Sequence, residues 1–234
     1  MSGPSPTPPS PTLILGGFLI TPEAYAPMAA AIGERSGQQV AVVPAGKGDW
    51  LLTSWSLGWC RLLDRSQVLL QELAAASPTG RVTLVGHSSG GVMLRLLLGD
   101  EPFAGRVYGL RDRVDTLLSL GSPHRALRGT ALRRLVDQRY PGAFFGDQVR
   151  YVSVAGAIEP AQLRPRARRL VRRSYSAISD DPDCPGDGLV PVSSALLSGS
   201  EQRLLEGVGH GGWFAERWYG SPEVLPRWLD LLVA

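Results

Sequence analysis

Cysteine is nearly missing from this chain: Cys60 and Cys184 are the two in 234 residues. Two thiols allow one disulfide at most, which excludes a small scaffold stapled by disulfides. Histidine is almost as scarce. His87, His124 and His210 stand far apart, and no Cys/His cluster has the spacing of a zinc site. Lysine occurs once, as Lys47, so the positive charge is arginine, and the formal net charge is only +3. That balance is too mild to point to a nucleic-acid partner. Long apolar runs are lacking as well. The longest near the start, Leu13 to Ile20, falls far short of a membrane span and has no basic residue before it. It does not read as a secretory signal, and a soluble, cytoplasmic protein is expected. A hydrophobic share of 44% is enough to bury one large core, as a single domain of this length requires.

Ser2 to Thr12 carries five prolines among small polar residues. Such a segment cannot bury surface, so residues 1–12 read as a disordered tail and 13–234 as the domain. Six short apolar runs follow: Leu13–Leu15, Val40–Val43, Val82–Val85, Leu117–Leu120, Tyr151–Val154 and a weaker one at Arg203–Glu206. Between them Leu62, Leu63, Leu69, Leu70 and Leu73 recur at near-helical spacing, and Pro222 to Leu232 reads as a closing helix. Strands alternating with helices predict an α/β fold, a doubly wound, mostly parallel sheet covered on both faces. Asp49–Trp59 and Arg125–Phe145 break the pattern. Both follow strands and should supply short lid or cap insertions over the catalytic edge, with Trp50, Trp55, Trp59, Phe144 and Phe145 as pocket wall or as ordinary core.

The most informative segment is Gly86-His87-Ser88-Ser89-Gly90, followed by Gly91. It joins the apolar run Val82–Val85 to a helical stretch, Val92 to Leu98. A strand that turns into a helix at a serine is a nucleophile elbow, and small residues flank it because the turn has no room for side chains. The first helical amides then lie ready to hold an oxyanion.

A serine hydroxyl needs an adjacent base, and the base needs a group to orient it. His87 neighbours Ser88 on the elbow, where adjacent side chains diverge. His124 precedes any plausible acid. His210 lies in the glycine-rich run from Gly207 to Gly212, where a loop can carry it over the sheet edge, and is the expected base. Asp180, Asp181, Asp183 and Asp187 fall between Ser88 and His210. Asp187 is flanked by Gly186 and Gly188 and is the favoured acid, with Asp183 next, because the other carboxylates read as an exposed turn. A calcium site built from these four lacks any recognised loop spacing.

Gly-His-Ser-Ser-Gly-Gly, then Asp-Gly-Leu-Val-Pro-Val, then a final Gly-His, in the order Ser, Asp, His, resembles the α/β-hydrolase superfamily, in its compact lipase/esterase-like branch. The resemblance spans about Leu13 to Ala234. It implies Ser88 as nucleophile, His210 as base, Asp187 as acid, and an oxyanion hole of the Ser89 and Phe18 amides. It implies hydrolysis of a small-molecule or lipid carboxylic ester with no cofactor. An acyltransferase, thioesterase or amidase on the same residues, or a non-catalytic binding module, is the alternative. Where such proteins often have His-Gly after the first strand, this chain has Gly16-Gly17, so one loop-anchoring hydrogen bond should be missing. Arg164, Arg166, Arg168, Arg169, Arg172 and Arg173 crowd ten positions. They form either a solvated face or a docking surface for anionic membranes and phosphorylated substrates.

Overall fold

The computed structural model describes residues 8–125, 130–159, 163–211 and 216–232. Residues 1–7 of the expected tail, 126–129 of the second irregular stretch, and Gly212 beside His210 lie outside the described residues. In chain order the elements are β1 (Thr12–Leu15), α1 (Ala26–Ser36), β2 (Val40–Val42), α2 (Lys47–Leu51), α3 (Ser56–Ala76), β3 (Val82–His87), α4 (Ser89–Leu98), β4 (Val114–Leu120), α5 (Ala131–Arg139), β5 (Arg150–Ala157), α6 (Pro165–Ser176), α7 (Val192–Ala195) and β6 (Glu201–Glu206).

The six strands form one sheet in the order β2-β1-β3-β4-β5-β6, every neighbouring pair parallel. Parallel strands need helical crossovers, and these cover both faces, which is why the strands are nearly all apolar. Side-chain alternation divides the core in two. Leu13, Leu15, Leu84 and Leu117 face one layer, which α3 and α4 close with Leu62, Leu63, Leu70, Val92 and Leu94. Ile14, Val85, Leu118, Val152 and Val154 face the other, closed by Met28 and Ile32 of α1 and by Trp228. The strand order reverses between β1 and β3, and in open α/β sheets the crevice beyond the carboxyl ends at that point is where sites are built.

Three expectations need correction. The sheet begins at Thr12, and the chain packs even earlier: the Ser10 hydroxyl bonds that of Thr79 at 3.1 Å, and Thr83 N–H donates to Pro11 O at 2.9 Å. A proline cannot donate to a sheet, but its carbonyl still accepts. The closing segment is not one helix but two 3-10 turns, Leu225–Arg227 and Leu229–Leu232, interrupted at Trp228. Pro226 supplies no N–H to an α-helical ladder, and the Trp228 indole is held inward by its bond to Tyr219 O at 3.0 Å. Finally, Phe144 and Phe145 do not overhang the catalytic edge. Phe145 lies under the Arg111 guanidinium, 5.2 Å from ring centroid to carbon, and Arg111 stands just before β4 begins. The two rings therefore cap the amino ends of the strands, because α5 has already carried the chain back down.

Candidate active site

Ser88 leaves β3 with φ 55° and ψ −126°, a conformation that a residue with a side chain rarely adopts. The surrounding glycines permit it. A Cβ on Gly86 would lie 2.3 Å from Gly91 Cα, one on Gly90 2.2 Å from Leu15 O, and one on Gly91 2.1 Å from Ser122 Oγ. The backbone of the elbow thus passes β1 and the end of β4 too closely for any side chain.

The Ser88 hydroxyl lies 2.8 Å from His210 Nε2, and His210 Nδ1 lies 2.8 Å from Asp187 Oδ2. Asp187 is wholly buried, and each of its other partners is a donor. Leu189 N–H and Val190 N–H reach Oδ1 at 3.0 and 2.8 Å, and the Tyr219 hydroxyl reaches Oδ2 at 2.8 Å. A carboxylate surrounded by donors accepts from Nδ1–H as well, which leaves Nε2 free to accept from the serine. His210 N–H donates to Asp187 O at 2.7 Å, tying the two loops together at the backbone. Burial, then the nearby Asp187 charge, hold the Tyr219 phenol well above its usual range, so it remains a donor. Its oxygen in turn accepts Gly156 N–H at 2.7 Å. Gly121 makes room for this pocket: a Cβ there would fall 2.4 Å from Asp187 Oδ2.

Asp183 is elsewhere. It is exposed and pairs with Arg172 and Arg168 of α6. Among the described residues no group of three histidine, cysteine or acidic side chains is placed to hold a metal. His124 does not bond Ser88: its Nε2 is bonded with Ser119 Oγ at 2.9 Å and its Nδ1 faces Arg95. Both cysteines are free.

The loop after β1 crosses directly over Ser88. A Cβ on Gly17 would lie 2.8 Å from Ser88 Cβ, so only glycine lets the backbone come this near. Gly17 N–H is already used, donating to the Tyr25 hydroxyl at 2.8 Å. Phe18 N–H has no acceptor among the described residues. Ser89 N–H is the first amide of α4 and, as at any helix start, has no intrahelical partner. The anchoring bond that the Gly16-Gly17 sequence forgoes is supplied by Tyr25, whose hydroxyl is also hydrogen-bonded with His87 Nδ1 at 2.8 Å. Trp50 adds a second tie through its indole N–H to Ile20 O at 3.2 Å. His87 is fully buried, and its ring lies against that of His210, tilted by 35° with centroids 4.8 Å apart.

The mature form of the lipase BlEst2 from Bacillus licheniformis is similar to this chain, with a TM-score of 0.66 at 16% identity, over 100% of this chain and 96% of that one. An alpha-beta serine hydrolase homologue from Coxiella burnetii gives 0.50 at 14% identity, over 96% and 83%. The protein has the α/β-hydrolase fold. No family model and no curated protein matches the sequence. Within this hydrolase fold, Tyr219, Tyr25 and His87 are the partners that sequence reasoning did not find.

Of the three expected tryptophans, Trp50 and Trp59 belong to the core, and Trp59 donates its indole N–H to Thr53 O at 3.0 Å. Trp55 alone is exposed, at 65%. Phe18 and Leu19 on the loop after β1, Leu51 at the end of α2 and Leu57 at the start of α3 are exposed large apolar side chains as well.

Proposed function

We propose that the protein is a serine hydrolase that cleaves carboxylic esters. The observation that carries this reading is the unbroken line from Ser88 Oγ through His210 to the buried Asp187, 2.8 Å at each link. In this reading His210 Nε2 takes the serine proton as Oγ bonds to the substrate carbonyl carbon. The carbonyl oxygen becomes an oxyanion facing the Phe18 and Ser89 amides. The ester C–O bond then breaks, and His210 returns the proton to the departing alcohol. Water repeats the sequence to release the acid and restore Ser88. Each oxyanion donor supplies about 3–4 kcal/mol of transition-state stabilisation in such sites. Asp187 holds the imidazole in the productive tautomer and offsets the charge it gains.

The experiment is covalent labelling with a fluorophosphonate probe, together with turnover of p-nitrophenyl esters. Ser88→Ala should lose labelling and lower kcat on the order of 10⁶-fold. Labelling retained in Ser88→Ala would remove Ser88 as the nucleophile. Product analysis with a competing alcohol separates hydrolysis from acyl transfer.

A further inference from the structure

Arg133 stands where folding alone does not favour a cation. It lies in the first turn of α5, which contains no acidic side chain, so it meets the positive end of the helix dipole. Its guanidinium is partly buried, and that burial pulls its proton affinity below the ordinary arginine range. Several other arginines find acids: Arg65 pairs with Asp49, Arg106 with Asp64, Arg150 with Glu201 and Arg203 with Asp230, while others, such as Arg166, Arg169 and Arg173, are exposed to solvent instead. Among the described residues Arg133 pairs with none, and no residue outside them has an acidic side chain. Its side chain instead reaches the elbow, Nη2 donating to Ser89 Oγ at 3.3 Å.

Desolvation, an opposing dipole and the lack of a counter-charge all disfavour this placement. All three are relieved if an anion arrives at that spot. Ser89 is the residue after the nucleophile, so the anion would belong to the substrate. We propose that Arg133 forms an anion subsite beside Ser88 that takes a carboxylate or phosphate carried by the substrate ester. This rests on the reading of Ser88 as the nucleophile. A planar guanidinium suits either oxyanion through paired N–H donors. Adding bond lengths from Ser88 Oγ through adjacent Cα atoms to the guanidinium gives a reach of at most about 12 Å. A half-ester of a short dicarboxylic acid spans that distance.

The test compares kcat/KM for matched esters in wild type, Arg133→Gln and Arg133→Lys. One arm sets p-nitrophenyl hemiglutarate against p-nitrophenyl valerate, placing the charge on the acyl side. A second sets 4-acetoxybenzoate against its methyl ester, placing a carboxylate on the leaving side, and 4-acetoxyphenyl phosphate substitutes phosphate there. In at least one arm the anionic-to-neutral ratio should fall tenfold or more in Arg133→Gln and recover in Arg133→Lys. Both esters of a pair meet the same protein preparation, so partial misfolding or a damaged oxyanion hole cancels in the ratio. Ratios within twofold of wild type in every arm would overturn the subsite. Fluorophosphonate labelling of the same preparations separates the two claims. A labelled wild type with an insensitive ratio sinks the subsite alone, and an unlabelled wild type sinks the hydrolase reading with it.

Discussion

Acid should destabilise this fold through two histidines that take no part in the proposed proton transfer. His87 is buried against Tyr25 and His210, and burial, then repulsion from His210, hold its pKa well below the ordinary 6.5. His124 is buried beside Arg95, and burial, then that guanidinium, do the same. In the unfolded chain both take up protons as pH falls past about 6.5, while in the folded chain neither does. Stability from these groups is therefore complete above 6.5 and is lost as pH falls toward the folded values. Linkage limits the loss to about 1.4 kcal/mol per pH unit for each group, so at most about 2 kcal/mol each and about 4 together by pH 5. That is a large share of the roughly 5–15 kcal/mol of a typical domain. Urea denaturation at intervals from pH 7.5 to 5.0 measures it, and His124→Gln should halve the slope. Ordinary carboxylates titrate mostly below this window. An unfolding free energy constant within about 1 kcal/mol from pH 7.5 to 5.0 would show that the imidazoles are already charged in the fold, and the reasoning would fail.

Asp187→Asn should lower turnover by about 10⁴-fold, while Asp183→Asn, which loses only an exposed pairing with α6, should change little; steady-state kinetics of both variants decides. Gly17→Ala should cut kcat with little change in melting temperature, because its Cβ would push the Phe18 amide away from Ser88, and an unchanged kcat would move the oxyanion donor elsewhere. Efficiency should rise about fourfold per added methylene from acetyl to hexanoyl esters, in line with about 0.8 kcal/mol for each one buried. Trp55→Ala should flatten that rise and Phe144→Ala should not, since Phe144 lies at the other end of the strands. We further propose that the exposed arginines of α6, with Leu170 exposed among them, contact anionic surfaces. Arg166→Glu with Arg169→Glu should then weaken sedimentation with anionic vesicles, and wild type that fails to sediment at low salt would make this a solvated face.

The inner strands were legible because a sheet covered on both faces leaves continuous apolar runs, and Leu13–Leu15 or Val82–Val85 can be read no other way once turns bound them, whereas β6, a largely exposed edge strand, leaves only a weak signal. The elbow was legible for a different reason. Its glycines at positions 86 and 90 stand where backbone meets backbone within 3 Å of a missing Cβ, Gly91 meets the Ser122 side chain as closely, and that constraint allows no substitute. His210 and Asp187 emerged by elimination among three histidines and four aspartates, aided by glycines on either side. Phe144 and Phe145 misled because composition does not say at which end of the strands a loop emerges. Only counting the helix between β4 and β5 places them, and Pro141-Gly142, which ends that helix, is the clue.

What escaped the sequence is chemistry held across long separations. Tyr219 meets Asp187 over 32 residues, Arg133 meets Ser89 over 44, and Tyr25 meets His87 over 62. None of these side chains is demanded by its own neighbours, since a tyrosine or arginine fits a helix or loop anywhere. A backbone squeezed by another backbone must be glycine, so close approach writes itself locally. A hydroxyl or guanidinium that completes a site needs only the right distance in space. That asymmetry explains why the proposed reacting groups could be named from spacing, while the groups that orient them and the candidate anion subsite could not. The Gly16-Gly17 segment shows both sides at once: the glycines were visible as a departure, yet the ring that replaces the lost anchor, Tyr25, fits only because a Cβ on Gly16 would lie 2.5 Å from it.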